Sequence, residues 1–509
     1  MPGRPRTGEC VLAVDIGTQS TRAALVDYGG HIVATAASPI DLFAPRPGWA
    51  EQDPGQWWAT TLENIDTVVG RHPDLEVVAI GVGAQMHGVV ALDAEGQALG
   101  GRAAIWSDKR CAEQVGEFLA RPDAGSLAAL AANRPLPAWS GFKMAWLRQH
   151  VPDAYTGAAK LLVVKDFVNQ RLCGEMATDY SESSGSFLCD ASTGRWSEEL
   201  MDALGVERSK LPEIVNSSAV IGGLRAEVAD QTGLLAGTPV VAGSGDMMCQ
   251  LLGTGLTDSG RVALVAGTAS ILAQAADSPS LDPRVMNLRT ASGNWARFGL
   301  ADAAGVSFAW FVDQFCGGAG QSGRASGSFV RLTQEAAAVE AGSGGLLFFP
   351  YLLGERTLGT ERSRASFVGA TLGHERPHFV RAVLEGITLE DRRSLDCVCP
   401  DGFEGPVRCT GGGATSNLWN QIRADVFGHP VQTLTTTEGG IQGAAILAGV
   451  GAGWYADAAA GAEVVVQAAE AWEPDPGGVR VYDRAYATFC AVHDVLGPEW
   501  TRWDEGLPE

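Results

Sequence analysis

One local pattern constrains this chain more than any other: a short apolar run that stops in a turn of glycine and hydroxyl residues and then resumes. Residues 11–14 run into Asp15-Ile16-Gly17-Thr18-Gln19-Ser20-Thr21, and residues 22–26 continue. Residues 261–266 run into Gly267-Thr268-Ala269-Ser270, and residues 271–275 continue. Apolar runs of about 4–8 residues bounded by turn formers are strand signals, so each copy predicts strand, tight turn, strand. Tyr28-Gly29-Gly30 and residues 32–37 extend the first copy into a three-strand meander. Two copies predict two similar lobes joined near residues 245–260, and 509 residues are more than one hydrophobic core usually holds.

Helical signals alternate with these strands. Behind Pro54, Trp57, Trp58, Leu62, Ile65 and Val69 recur at helical spacing, and residues 76–82 and 89–92 return to strand character. Residues 239–242 predict a strand that runs into Gly243-Ser244-Gly245-Asp246. Thr410-Gly411-Gly412-Gly413-Ala414 precedes Leu418, Ile422 and Val426 at i, i+4 spacing, with Ser416 as N-cap and Gly428 as stop. The class is mixed α/β. Residues 316–327, rich in Gly and Ser, predict a mobile surface loop.

Three Gly-rich turns at the ends of apolar strands suit a nucleotide cleft between two lobes, because only Gly lets backbone N–H groups approach phosphates closely. None has the spacing of a P-loop or a dinucleotide fingerprint. Asp15 beside Thr18 and Ser20 could hold a magnesium ion, or simply cap its turn. Asp246 at another strand end could take a proton from a substrate hydroxyl, or again form the turn. The formal net charge of -22, with no run of clustered Lys and Arg, excludes nucleic acid and anionic membranes as first readings. Ten scattered cysteines without a CxxC pair predict reduced thiols. No signal-peptide core and no membrane-length apolar run is present, which points to the cytoplasm.

Further motifs occur in order along the chain: Asp15-Ile16-Gly17-Thr18, then Gly48-Trp49-Ala50-Glu51-Gln52-Asp53-Pro54 with Trp57-Trp58, and Gln85-Met86-His87-Gly88. Trp106-Ser107-Asp108-Lys109-Arg110, Ala177-Thr178-Asp179-Tyr180-Ser181, Gly245-Asp246, Gly354-Glu355-Arg356-Thr357 and Gly411-Gly412-Gly413-Ala414 follow. A long signature runs from Ala365-Ser366-Phe367-Val368-Gly369 through His378-Phe379 to Ala382-Val383-Leu384-Glu385. In these motifs the chain resembles, over nearly its whole length, the FGGY carbohydrate kinases of the actin/hexokinase/Hsp70-like ATPase superfamily, and within them the xylulokinase branch.

The resemblance implies two ribonuclease-H-like α/β domains flanking a catalytic cleft. Residues 1–254 would carry the sugar site, the first phosphate loop and the catalytic aspartate, and residues 255–509 the second phosphate loop and the adenosine pocket. It implies an ATP-dependent kinase acting on a terminal hydroxyl of a ketopentose, D-xylulose to D-xylulose 5-phosphate. Asp246 would be the general base, and Asp15 would serve Mg2+. Gly17, Thr18, Ser20 and Arg22 would form the first phosphate loop, Gly267 and Thr268 the second, and Gly412, Gly413 and Asn417 would line the adenosine pocket. Met86 and His87, with Asp246, would contact the sugar. Members of the family are often dimers, which adds a second copy of the chain to the implied partners.

Departures from the family pattern leave the sugar open. Met247, Met248 and Cys249 follow Asp246 where Asn and small residues are usual, predicting a bulkier and softer wall. Ser107 and Lys109 replace Asn and Gly, and Ala370 replaces a branched aliphatic. Another ketose or a polyol is therefore the alternative substrate. A nucleotide-dependent switch or a sensor without catalysis is the alternative of a different class; the sugar-lobe motifs and the presence of both Asp15 and Asp246 speak against it.

Overall fold

The first meander closes as its pattern requires. In the structure, a computed structural model that describes residues 5–316, 326–354 and 362–505, β1 (Glu9–Ile16), β2 (Ser20–Val26) and β3 (Ile32–Pro39) pair antiparallel. β1 is buried along nearly its whole length, as expected for a strand covered on both faces. Its other edge pairs in parallel with β4 (Glu76–Ala84). β5 (Val220–Gly223) and β6 (Pro239–Val241) complete the order β5-β6-β4-β1-β2-β3, and the two-residue β7 (Ser244–Gly245) also pairs with β4.

One register row decides what this sheet presents. Asp15 lies opposite Gly83 and Ile16 opposite Ala84, while on the other side of β4 Ser244 lies opposite Gly83 and Gly245 opposite Ala84. β1, β4 and β7 therefore end level, and the residues that follow each of them leave the sheet at one carboxyl edge, where open parallel sheets bind their ligands.

Helix Pro54–Arg71, capped by the Asp53 side chain on the Gly55 N–H, buries Trp57, Ile65 and Val68 in one core. Helix Gly439–Gly451 belongs to a second core with Val11, Ala13 and Cys249. It approaches helix Asp246–Leu252 so closely that a Cβ on Gly443 would stand 2.0 Å from the Cys249 carbonyl oxygen. This packing explains how the chain divides. One compact unit holds the chain up to Ser259 together with Ala275–Ala296 and Glu438–Gln467; the other holds Gly260–Gln274, Arg297–Thr437 and the chain from Ala468. A single cut between residues 254 and 255 does not describe these units, because segments from the later half return to build the first.

The second unit repeats the pattern of the first. β8 (Val262–Ala266) and β9 (Ser270–Ala276) form an antiparallel hairpin, β8 pairs in parallel with β10 (Val407–Thr410), and β10 with β11 (Val431–Leu434). β12 (Ala468–Trp472) closes the far side antiparallel. Helices Arg376–Val398 and Asn417–Phe427 are joined by a hydrogen bond from the Trp419 indole N–H to Thr388 Oγ1 at 3.0 Å. Most of the loop expected at residues 316–327 lies outside the described residues, and a helix, Ser326–Ala337, begins within that range. Residues 355–357 of the Gly354-Glu355-Arg356-Thr357 motif also lie outside them. Among the described residues no helix is long and apolar enough to cross a membrane.

Candidate active site

The turn after β1 is held in shape by side chains from elsewhere in its unit. Gly17 donates its N–H to the Ser20 carbonyl at 3.0 Å, which closes the turn. Gln52 donates to the Thr18 carbonyl at 2.7 Å and accepts from the Trp57 indole at 3.0 Å and from Gln85 Nε2 at 2.6 Å. The Gln85 backbone N–H reaches the Ile16 carbonyl at 2.7 Å, and the Trp106 indole donates to Thr18 Oγ1 at 3.0 Å. Gln52, Gln85 and Trp106 were not singled out as site residues from the sequence, although each stands in a motif quoted above. Arg22 leaves β2 opposite Asp15, and its guanidinium pairs with Glu438 at 2.7 Å.

Two carboxylates share the carboxyl edge of this sheet. Burial pushes Asp15 up to about 6, with Arg22 pulling it down and Glu438 pushing it up. Burial likewise pushes Asp246 up to about 7; the charge of Asp15 adds to the rise, and the Met247 N–H, 2.7 Å from Oδ1, opposes it. An Asp near 7 is poised to act as a base at neutral pH. Beside Asp15 stands Gly440, where a Cβ would lie 3.5 Å from the carboxylate. No motif in the sequence marked Gly440. Among the described residues no group of three or more His, Cys, Asp or Glu side chains is placed to hold a metal ion. Asp15 still fits a divalent cation that keeps water and phosphate oxygens as its other ligands, since its carboxylate, itself raised by burial and by Glu438, adds to the rise of Asp246, and such an edge calls for positive charge.

Met86 and His87 follow β4 at the same edge. Met86 is buried against Gly245, where a Cβ would stand 2.5 Å from the Met86 side chain. His87 has φ +66, and its ring meets Trp139 edge-on with centroids 5.0 Å apart. Burial first, and then the charge of Lys143, lower it to about 3, so the imidazole is neutral. It can exchange hydrogen bonds with an uncharged ligand. The wall expected from Met247, Met248 and Cys249 is not formed: Met248 and Cys249 are fully buried on the inner face of helix Asp246–Leu252, and only Met247 retains exposure. Helical periodicity turns two of the three residues into the core.

In the second unit, β8 and β10 are adjacent parallel strands, with Val265 opposite Thr410. Gly267-Thr268 and Gly411-Gly412-Gly413 thus leave one edge together. Gly305 and Val306 donate their N–H groups to the carbonyls of Gly267 and Thr268 at 3.2 and 3.1 Å. Gly411 has φ +92, and a Cβ there would stand 2.7 Å from the Ala266 carbonyl oxygen, so this loop requires Gly. Arg423 donates to the Gly413 carbonyl at 2.9 Å, and Asn420 donates to that of Ala414 at 2.7 Å. Thr268, Gly412 and Asn417 remain exposed, and Asn417 opens helix Asn417–Phe427 behind the Ser416 cap. A Gly-rich turn that opens a helix presents free N–H groups to anions.

Comparison with known proteins agrees in both halves. The chain matches the FGGY family of carbohydrate kinases, N-terminal domain, over residues 10–253 and its C-terminal domain over residues 262–452. The xylulose kinase of Bacillus subtilis (strain 168) is 31% identical over 494 residues, covering 95% of this chain and 96% of that protein. The crystal structure of xylulose kinase from Rhodospirillum rubrum superimposes with a TM-score of 0.89 at 31% identity, covering 97% of this chain and 100% of that one. That of gluconate kinase from Lactobacillus acidophilus gives 0.90 at 25% identity, covering 97% and 99%.

Proposed function

The chain belongs to the FGGY family of carbohydrate kinases and is an ATP-dependent sugar kinase, and from that premise we propose that it phosphorylates the terminal hydroxyl of a ketopentose, D-xylulose to D-xylulose 5-phosphate. The observation that carries the reading is Asp246: a half-buried carboxyl with its pKa raised to about 7, leaving the sheet just after Gly245 at the same carboxyl edge as Asp15, Met86 and His87. The choice of sugar follows relatives of about 30% identity over nearly the full chain that carry the name xylulose kinase.

In this reading Asp246 accepts the proton of the attacking hydroxyl as the new bond to phosphorus forms, worth roughly 10²–10⁴-fold in rate. Met86 and the neutral His87 hold the sugar. The backbone of Gly17, Thr18 and Ser20, with Arg22, faces phosphate oxygens, as do Gly267 and Thr268, while Gly412, Gly413 and Asn417 face the adenosine. Asp15 holds magnesium, which when bound neutralises charge on the phosphate oxygens. Phosphoryl transfer depends on positioning and charge more than on covalent chemistry, so a site built from backbone loops and two carboxylates is sufficient.

Similarity to a gluconate kinase supports a second reading, the same chemistry on an aldonate. An ADP-release assay with Mg-ATP against D-xylulose, other ketoses, polyols and D-gluconate separates them. Turnover that requires D-xylulose supports the proposal. Turnover on gluconate alone refutes it and keeps the kinase.

A further inference from the structure

We propose that Ser181 is a positioning residue for phosphoryl transfer: its hydroxyl holds the backbone of Gly245, so that the next residue, Asp246, faces the sugar hydroxyl. The proposal rests on the reading of Asp246 as general base and adds a residue that the base acts with. Ser181 Oγ accepts the Gly245 N–H at 3.1 Å and lies 2.8 Å from Ser244 Oγ, so both residues of β7 are tied to one side chain. β7 is only two residues long and pairs with β4 at Gly83 and Ala84. So short a strand has little ladder of its own, and a side-chain tie carries a large share of its placement.

Ser181 is itself held from behind. It sits in helix Tyr180–Ser184, which is capped by Asp179, whose Oδ2 accepts the Ser181 N–H at 3.0 Å. The same oxygen accepts from Ser217 Oγ at 2.8 Å and from Ser244 Oγ at 3.3 Å, and Lys165 Nζ lies 3.3 Å from the other oxygen. Ser181, Asp179, Ser217, Ser244 and Lys165 are all buried, so none of these bonds competes with water. Gly245 meets Met86 on another side. The base is thus set by β4, by Met86 and by Ser181, and only the last is a polar tie that one substitution removes.

The test is steady-state kinetics of the full-length chain carrying Ser181→Ala or Ser181→Cys, with Ser217→Ala and Asp246→Asn beside them. Ser217 bonds the same Asp179 oxygen but makes no bond to Gly245, so it reports the cost of loosening the network alone. For both Ser181 variants we expect kcat to fall roughly 10- to 100-fold, as for a displacement of about 1 Å, with both KM values within about threefold. Ser217→Ala should keep kcat within about threefold. Wild-type kcat in the Ser181 variants, a loss confined to KM, or an equal loss in Ser217→Ala would each overturn the proposal. Should Ser181→Ala not fold, the near-isosteric cysteine, a poor acceptor, carries the test. Full turnover in Asp246→Asn would remove the base and this proposal together, whereas unaltered Ser181 variants beside an inactive Asp246→Asn would remove only the role of Ser181.

Discussion

Replacing Asp246 with Asn should abolish most turnover and make the ligand-free protein more stable, two effects that an ordinary buried carboxylate would not show together. The ordinary value of the carboxyl is 3.8, and the folded chain raises it to about 7, through burial first and Asp15 second. Below 3.8 the folded and unfolded chains both hold the proton. Between 3.8 and about 7 the folded chain keeps a proton that the unfolded chain has released, so the stability associated with it declines as pH rises and is gone above about 7. The full difference sets a ceiling of ~4 kcal/mol at pH 8. Asp246 is not wholly hidden from solvent, and screening reduces the expected gain to ~1–2 kcal/mol. Asn keeps the acceptor for the Met247 N–H, so little else is lost. Thermal unfolding without ligands at pH 8 should therefore show Tm higher by roughly 1–3 °C in Asp246→Asn, with the gain vanishing near pH 4. In the coupled ADP assay the same variant should lose roughly 10²–10⁴-fold in kcat. A lower Tm at pH 8, or a gain that does not depend on pH, would refute the electrostatic reasoning; retained turnover would refute the base.

His87→Ala should raise the sugar KM roughly 5- to 20-fold, the worth of one or two neutral hydrogen bonds, while the KM for ATP stays put; an unchanged sugar KM returns His87 to the core. Asp15→Asn should raise the magnesium concentration for half-maximal rate about tenfold or more, read by titration at fixed ATP. Gln52→Ala strands the Trp57 indole, leaves the Gln85 amide only its bond to the Gly17 carbonyl, and frees the Thr18 carbonyl; it should cost ~2–4 kcal/mol in denaturant unfolding and raise the KM for ATP. Gly411→Ala forces a side chain into positive φ against the Ala266 carbonyl. It should weaken nucleotide binding by calorimetry and destabilise by ~1–3 kcal/mol, and wild-type binding would show the loop to be permissive.

Much of the local structure was legible in the sequence because its signals are local. The apolar runs before Gly17 and Gly267 became β1 and β8, the runs after them β2 and β9, and Ser416 and Gly428 bound the helix they were expected to bound. The motifs carried the family, since their order reflects a shared fold. Tertiary structure alone decided three things. It set β1, β4 and β7 level, bringing Asp15, His87 and Asp246 from distant parts of the chain to one edge; parallel register depends on what covers the sheet, which no single strand encodes. It returned helix Gly439–Gly451 to the first unit and put Gly440 beside Asp15, a placement set by close helix contact at Gly443. It turned Met248 and Cys249 into the core, because the residues after Asp246 are helical and their side chains are distributed around an axis rather than along a wall.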